Sequence, residues 1–237
     1  MANVRGRDIH SWQVTVAEAR GIQRSLASQV LKRNEVSAPR LIAGADISAE
    51  DKAGTARGAV VVLRFPDLVL VEHSVVQQRI SFPYVPGLLS FRETPLILAA
   101  CERLTLTPDL FIADAQGIAH PRRLGLASHL GLLLDVPAIG CAKSILCGRH
   151  GQLGEEPGCY APLVDGDDVI GAALRTKRGT NPVYVSIGHK VDLEAALHWV
   201  MACVRGYRLP EPTRLAHLAA AGQLPAPKAE AEQGRLL

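Results

Sequence analysis

Residues 41–76 hold three apolar runs in quick succession: LIAGADI (41–47), GAVVVLR (58–64) and LVLVEHSVV (68–76). Their β-branched content marks them as strands. Pro66-Asp67 is a tight-turn signal between the last two, and the polar stretch SAEDKAGTAR before them suits a hairpin loop. Three strands joined this closely must pair antiparallel, because a parallel pair needs a crossover of a dozen residues or more. One half of any sheet this chain builds is therefore set before a helix intervenes.

After these runs the pattern changes to strand and helix in alternation. A helix is expected over about 91–104, entered through Ser90 and Glu93 as a capping box, or through Thr94 with Pro95 in the first position. A strand follows at 110–114, a helix at 124–134 and a strand at 137–142. Residues 148–160 are rich in Gly, Glu and Pro and read as loop; strands are expected at 169–176 and 182–187. Asp192 then caps a helix over 193–205, and a short helical segment follows Pro210 and Pro212. Ahead of all this, Thr15 and Glu18 form a capping box for a helix over 15–33, with Val16, Ala19, Ile22, Leu26 and Val30 at helical spacing. A hairpin-linked trio followed by βα units implies an α/β, ribonuclease-H-like mixed sheet flanked by helices. The tail from 219 lacks a sustained apolar face and is expected to be disordered or frayed helix, which leaves 1–218 as the working domain.

Composition narrows the setting. The 237 residues are 48% apolar and 21% charged, and no window suits a membrane span or a secretory leader, so a cytoplasmic location is the default. The five cysteines include no CxxC, which argues against both a disulfide framework and a thiolate zinc site. A net charge of +3 permits nucleic-acid binding without demanding it. One oddity stands in LFIADAQGIAHPRR (110–123), where a buried strand ends on a single acid ahead of a histidine and two arginines.

That acid has company. Asp46 lies near the end of the first strand and Asp114 at the end of the fourth, so parallel neighbours would present both at one sheet end, where open α/β sheets bind ligands. Glu93 is a third candidate. Clustered carboxylates stay ionised together only around a positive charge, and Mg²⁺ prefers such hard oxygen ligands. Lys143, after the strand 137–142, would reach the same end and meet a phosphate or a water. Each residue has a plainer reading alone: Asp46 as a turn residue, Glu93 as a cap, Asp114 in an Asx-turn, Lys143 on the surface, His217 as a structural histidine. Pro83 and Pro86 bracket Tyr84 in SFPYVPG, which reads as a stiff loop.

The blocks AGADIS, FPYVPGLLSFRE, DAQGIAHPRRLGLASHLG, IGCAKSILCG, LRTKRGTNPVYVSIGH and PEPTRLAH, in this order over 41–217, resemble the endonuclease V family. The resemblance implies an enzyme that nicks DNA at the second phosphodiester 3′ to deoxyinosine, with Mg²⁺ as cofactor and Mn²⁺ able to substitute, leaving 3′-hydroxyl and 5′-phosphate ends. It implies metal binding by Asp46, Asp114 and Glu93, and catalytic roles for Lys143, His217 and Glu93. Tyr84, held between Pro83 and Pro86, would be a wedge that fills the gap left by a displaced base. Gly87, Leu89, Ala115 and Leu126 would read the base mainly through their backbones. The family pattern Asp-Gly-x-Gly is Asp114-Ala115-Gln116-Gly117 here, so a methyl group enters the base pocket. His120, Arg122 and Arg123 would contact phosphates or brace their loop. The expected partner is deaminated, inosine-containing DNA. Alternatives are inosine-containing RNA, mismatched or branched DNA, or a non-catalytic nucleic-acid-binding module. One centre suffices to nick one strand, so no obligate protein partner is expected, and no membrane.

Overall fold

The computed structural model describes residues 4–224. Its frame is a nine-stranded mixed sheet in the order β3-β2-β1-β4-β5-β9-β8-β7-β6. The first hairpins are β1 (Leu41–Ile47), β2 (Thr55–Arg64) and β3 (Val69–Arg79), all antiparallel. β4 (Leu110–Ala113) returns parallel to β1, and β5 (Ala138–Ala142) parallel to β4. β9 (Val183–His189) closes antiparallel on β5. The ribonuclease-H-like, mixed and helix-flanked architecture is thus the one expected.

Alternate residues of the central strands feed two cores. Ile42, Leu110, Ile112 and Ile139 join the side occupied by α4 (Leu193–Ala202) and α5 (Glu211–Ala221). Ala43, Ala45, Phe111 and Ala113 pack with α2 (Leu89–Cys101) and α3 (Leu126–Leu134). The period of two along each strand produces this division. Burial on both faces explains why β4 and β5 read as unbroken apolar runs.

Several elements depart from the sequence reading. The capping box of α1 (Val16–Ala27) forms: Glu18 N–H donates to Thr15 Oγ1 at 3.3 Å, and Thr15 N–H to Glu18 Oε2 at 2.7 Å. The helix stops at Ser28, however, and Val30 is buried beyond its end, so apolar spacing outlasted the helix. α2 starts at Leu89 with neither expected cap: Ser90 and Thr94 are inside it, their hydroxyls buried without hydrogen bonds, and so is Pro95. Packing of this turn prevails over a proline that forfeits one helical bond. α4 ends at Ala202, short of 205. The stretch read as loop over 148–160 contains β6 (Arg149–His150) and meets β7 (Tyr160–Asp165) at its end; β7 then pairs with β8 (Asp168–Leu174) through a turn at Gly166. Helix α5 runs past 219 to Ala221, with Ala219 and Ala220 buried, so the first three residues of the expected tail are helical. The part of that tail from 225 lies outside the described residues.

Candidate active site

Parallel pairing of β1 with β4 sets Ala45 against Ala113, so the next residue of the first, Asp46, and the next of the second, Asp114, leave the sheet together. By alternation both fall on the α5 side. α5 can lie close there because β1 carries Gly44: a Cβ at that position would collide with the backbone of Pro212. This approach brings His217, on the next turn of the helix, over the carboxylates. Its Nδ1 stands 2.8 Å from Asp46 Oδ2. Ligand atoms of Asp46, Asp114 and His217 all lie within 4.8 Å of one another.

Two further groups adjoin this trio. Lys143, one residue beyond β5, pairs its ammonium with Asp114 Oδ2, an oxygen that is buried and makes no hydrogen bond of good geometry. Glu93 on α2 lies outside the 4.8 Å group but close to it. Burial, then the negative charge of Asp46, pushes its carboxyl up to about 8; Arg92 opposes this and Asp114 adds to it. Burial likewise pushes Asp114 up, against the pull of Lys143. Two carboxylates strained toward neutrality beside a third are a centre short of positive charge. A divalent cation with oxygen-rich ligation meets that need.

Beside this centre opens a cleft of about 350 Å³, at the lower end of the size range of ligand sites. It takes in Tyr84, Pro86, Gly87, Leu89, Asp114, Ala115, Leu126 and Lys143. Tyr84 is 72% exposed at its mouth, a large apolar ring held in water. Pro83, exposed, precedes it in the loop. Arg92 anchors that loop, donating from Nη1 to the Phe82 carbonyl at 2.7 Å. Ala115 is a buried residue of the cleft wall with an ordinary backbone conformation, so the alanine sits there without straining the chain.

The three residues considered for phosphate are engaged inside the protein. His120 is buried and donates from Nε2 to the Gly87 carbonyl at 2.9 Å, since its Nδ1 accepts from the Arg122 N–H at 3.1 Å. Burial pulls this imidazole down to about 4, so it is neutral near pH 7. Arg122 donates to the same carbonyl at 2.6 Å, and Arg123 pairs with Asp165 and Asp168. They brace their loop.

The endonuclease V family model matches residues 24–218. The chain belongs to the endonuclease V family. An endonuclease V of Dehalococcoides mccartyi is 52% identical over 219 residues, covering 92% of this chain and 98% of that one. The crystal structure of endonuclease V from Streptomyces avermitilis is 40% identical with a TM-score of 0.85, covering 94% of this chain and 98% of that one. Endonuclease V of Ciona intestinalis, solved in complex with a DNA containing an inosine followed by a ribo-adenosine, is 27% identical with a TM-score of 0.74, over 89% and 98% of the two chains. As an endonuclease V the chain is an enzyme, a metal-dependent nuclease, which removes the non-catalytic module from the alternatives. Among the described residues no helix is long and apolar enough to cross a membrane.

The sequence alone does not single out the cleft residues Gln23, Ser90 and Gln116 as part of the site. One signal was present for Gln23: it falls between Ala19 and Leu26 on the apolar stripe of α1, a polar residue where the spacing calls for a hydrophobic one. Ser90 was read only as a cap. Its hydroxyl and the Gln116 Oε1 are buried without partners at the cleft.

Proposed function

We propose that the protein nicks deoxyinosine-containing DNA at the second phosphodiester 3′ to the lesion by Mg²⁺-dependent hydrolysis. The observation that carries this reading is the meeting of Asp46, Asp114 and His217 within 4.8 Å, at the edge of a cleft guarded by an exposed tyrosine. Asp46 and Asp114 would hold the ion, with Glu93 as a direct or water-mediated partner. His217 would ligate it or orient Asp46 through their hydrogen bond. Bound there, Mg²⁺ would activate a water and stabilise the leaving oxygen; Mn²⁺ serves the same donor set. Lys143 directs positive charge at the scissile phosphate. In the hydrolysis the water oxygen ends on the 5′-phosphate and the 3′ oxygen leaves with a proton.

Tyr84 is the wedge. Extruding a base costs a few kcal/mol of stacking, and a ring already exposed between Pro83 and Pro86 replaces it with little loss of freedom. The extruded base enters between Gly87 and Leu89 on one side and Ala115 and Leu126 on the other. The Ciona intestinalis complex, with its inosine-containing DNA, supports this choice of substrate. Because that ligand has a ribonucleotide after the inosine, inosine-containing RNA is the second reading, with the same chemistry.

A duplex with one deoxyinosine, incubated with the protein and Mg²⁺ and mapped on a sequencing gel, tests the proposal. The expected product is a single nick directly after the nucleotide that follows the lesion on its 3′ side, absent with chelator and with Asp114→Asn. A matched RNA cut in preference would select the second reading. Intact inosine DNA and RNA in the presence of Mg²⁺ and Mn²⁺ would refute both.

A further inference from the structure

We propose that Gln23, on a helix remote in sequence from both pocket loops, is the positioning residue that fixes the base pocket and thereby its selectivity for the extruded base. The inference rests on the pocket assignment just made. The Gln23 side chain is fully buried, yet both its amide nitrogen and its amide oxygen are hydrogen-bonded. Its Nε2 donates to the carbonyls of Gly87 and Leu124, each at 3.0 Å. Its Oε1 accepts from Arg122 Nε at 2.5 Å. One amide thus ties α1 to both walls of the cleft: the loop of Tyr84 and Gly87, and the loop that ends at α3.

The geometry at Gly87 shows why this tie matters. Its carbonyl accepts from three donors, Gln23 Nε2, His120 Nε2 and Arg122 Nη2. The carbonyl is turned into this cluster, and the backbone reaches that orientation at φ +78°. A Cβ at Gly87 would stand 2.8 Å from Arg122 Nη2, so only glycine admits the arrangement. With the carbonyl held inside, the peptide plane at the pocket wall is fixed. Backbone reading of a base requires such fixed planes, because a shifted peptide plane moves its donor and acceptor off the base edge.

Glutamine is the residue type this position requires. Only a primary amide supplies two donors for two carbonyls and an acceptor for a guanidinium at one end of a neutral chain, and asparagine is one methylene shorter. Glutamate would keep the acceptor and oppose both carbonyls. Leucine would keep the volume, take away the Gln23 bonds of the Leu124 carbonyl and the Arg122 Nε–H, and remove one of the three donors from the Gly87 carbonyl. Either change should loosen Gly87 against Arg122 without touching Asp46, Asp114, His217 or Lys143.

The test measures single-turnover nicking of inosine-containing and undamaged duplexes by the full chain with Mg²⁺. Gln23→Leu and Gln23→Glu are compared with Thr15→Ala, which weakens α1 at its cap and leaves Gln23 in place. The expected result is at least a tenfold fall in the inosine-to-undamaged rate ratio for both Gln23 variants. Their affinity for undamaged duplex in chelator should stay within twofold of wild type. Thr15→Ala should keep the wild-type ratio despite a lowered melting temperature. A retained ratio in Gln23→Leu, or an equal loss of ratio in Thr15→Ala, overturns the assignment of selectivity to Gln23. A wild-type protein without preference for inosine overturns the pocket reading beneath it, and this proposal with it.

Discussion

Replacing Glu93 by glutamine should make the metal-free protein more stable while ending its activity. The folded carboxyl is pushed up to about 8, first by burial and then by the charge of Asp46, whereas in the unfolded chain it titrates near the ordinary 4.5. The folded state therefore holds a proton that the unfolded state releases, and stability falls as pH rises through the window from about 4.5 to 8. At 1.36 kcal/mol per unit, ionising solvent at pH 7.5 disfavours the fold by about 4 kcal/mol relative to a neutral side chain. Glu93→Gln removes that term. For a chain of this length the gain is on the order of 10 °C in melting temperature. Thermal or denaturant unfolding in chelator at pH 4.5, 6 and 7.5 measures it: the gap between variant and wild type should be near zero at the lowest pH and widen upward. Added Mg²⁺ should then stabilise the wild type more than the variant. A variant no more stable than wild type at pH 7.5, or a gap that ignores pH, refutes the reasoning.

Three other outcomes are expected. His217→Ala should weaken divalent-ion affinity by about 10- to 100-fold, whether the imidazole ligates or orients Asp46, as read by calorimetric titration with Mn²⁺. Ala115→Gly should alter the inosine-to-undamaged nicking ratio or the rate of nicking, since it removes a buried methyl from the pocket wall; unchanged values for both would show that the methyl does not meet the base. The buried imidazoles of His120 and His129, pulled down by burial to about 4 and about 3, are neutral in the fold, so their contribution to stability is lost as pH falls below 6.5. At pH 5 each should destabilise by about 2 kcal/mol, and a His120→Asn variant should lose less stability than wild type between pH 7 and 5.

The sheet was legible because its signals are local. β1 was placed to the residue, and the parallel registry of Asp46 with Asp114 followed from hairpins succeeded by βα units. β7 escaped because Pro162 interrupts its apolar pattern and only six residues carry it, and β6 is two residues long. The start of α2 was misplaced because Ser90, Thr94 and Pro95 carry every local mark of a helix entrance, yet the tertiary setting buries them within the first two turns. At the site, acids at strand ends announce themselves by their contrast with apolar runs. His217 was legible only through resemblance, since its contact depends on Gly44 admitting α5. Gln23 failed for the opposite reason: one polar residue in an apolar stripe is easily read as noise, and its three partners lie 64 to 101 residues away in the chain.

Asp46 and His217 touch across a sequence separation of 171 residues. A chain still being synthesised through β9 has its sheet and both aspartates but no α5, and so lacks the imidazole that completes the trio. On the role proposed for His217, cutting ability is tied to the docking of the last described helix rather than to formation of the sheet. A truncation before residue 211 should yield a scaffold that lacks the imidazole beside Asp46, and a destabilised α5–β1 contact should lower activity without altering a single acidic residue.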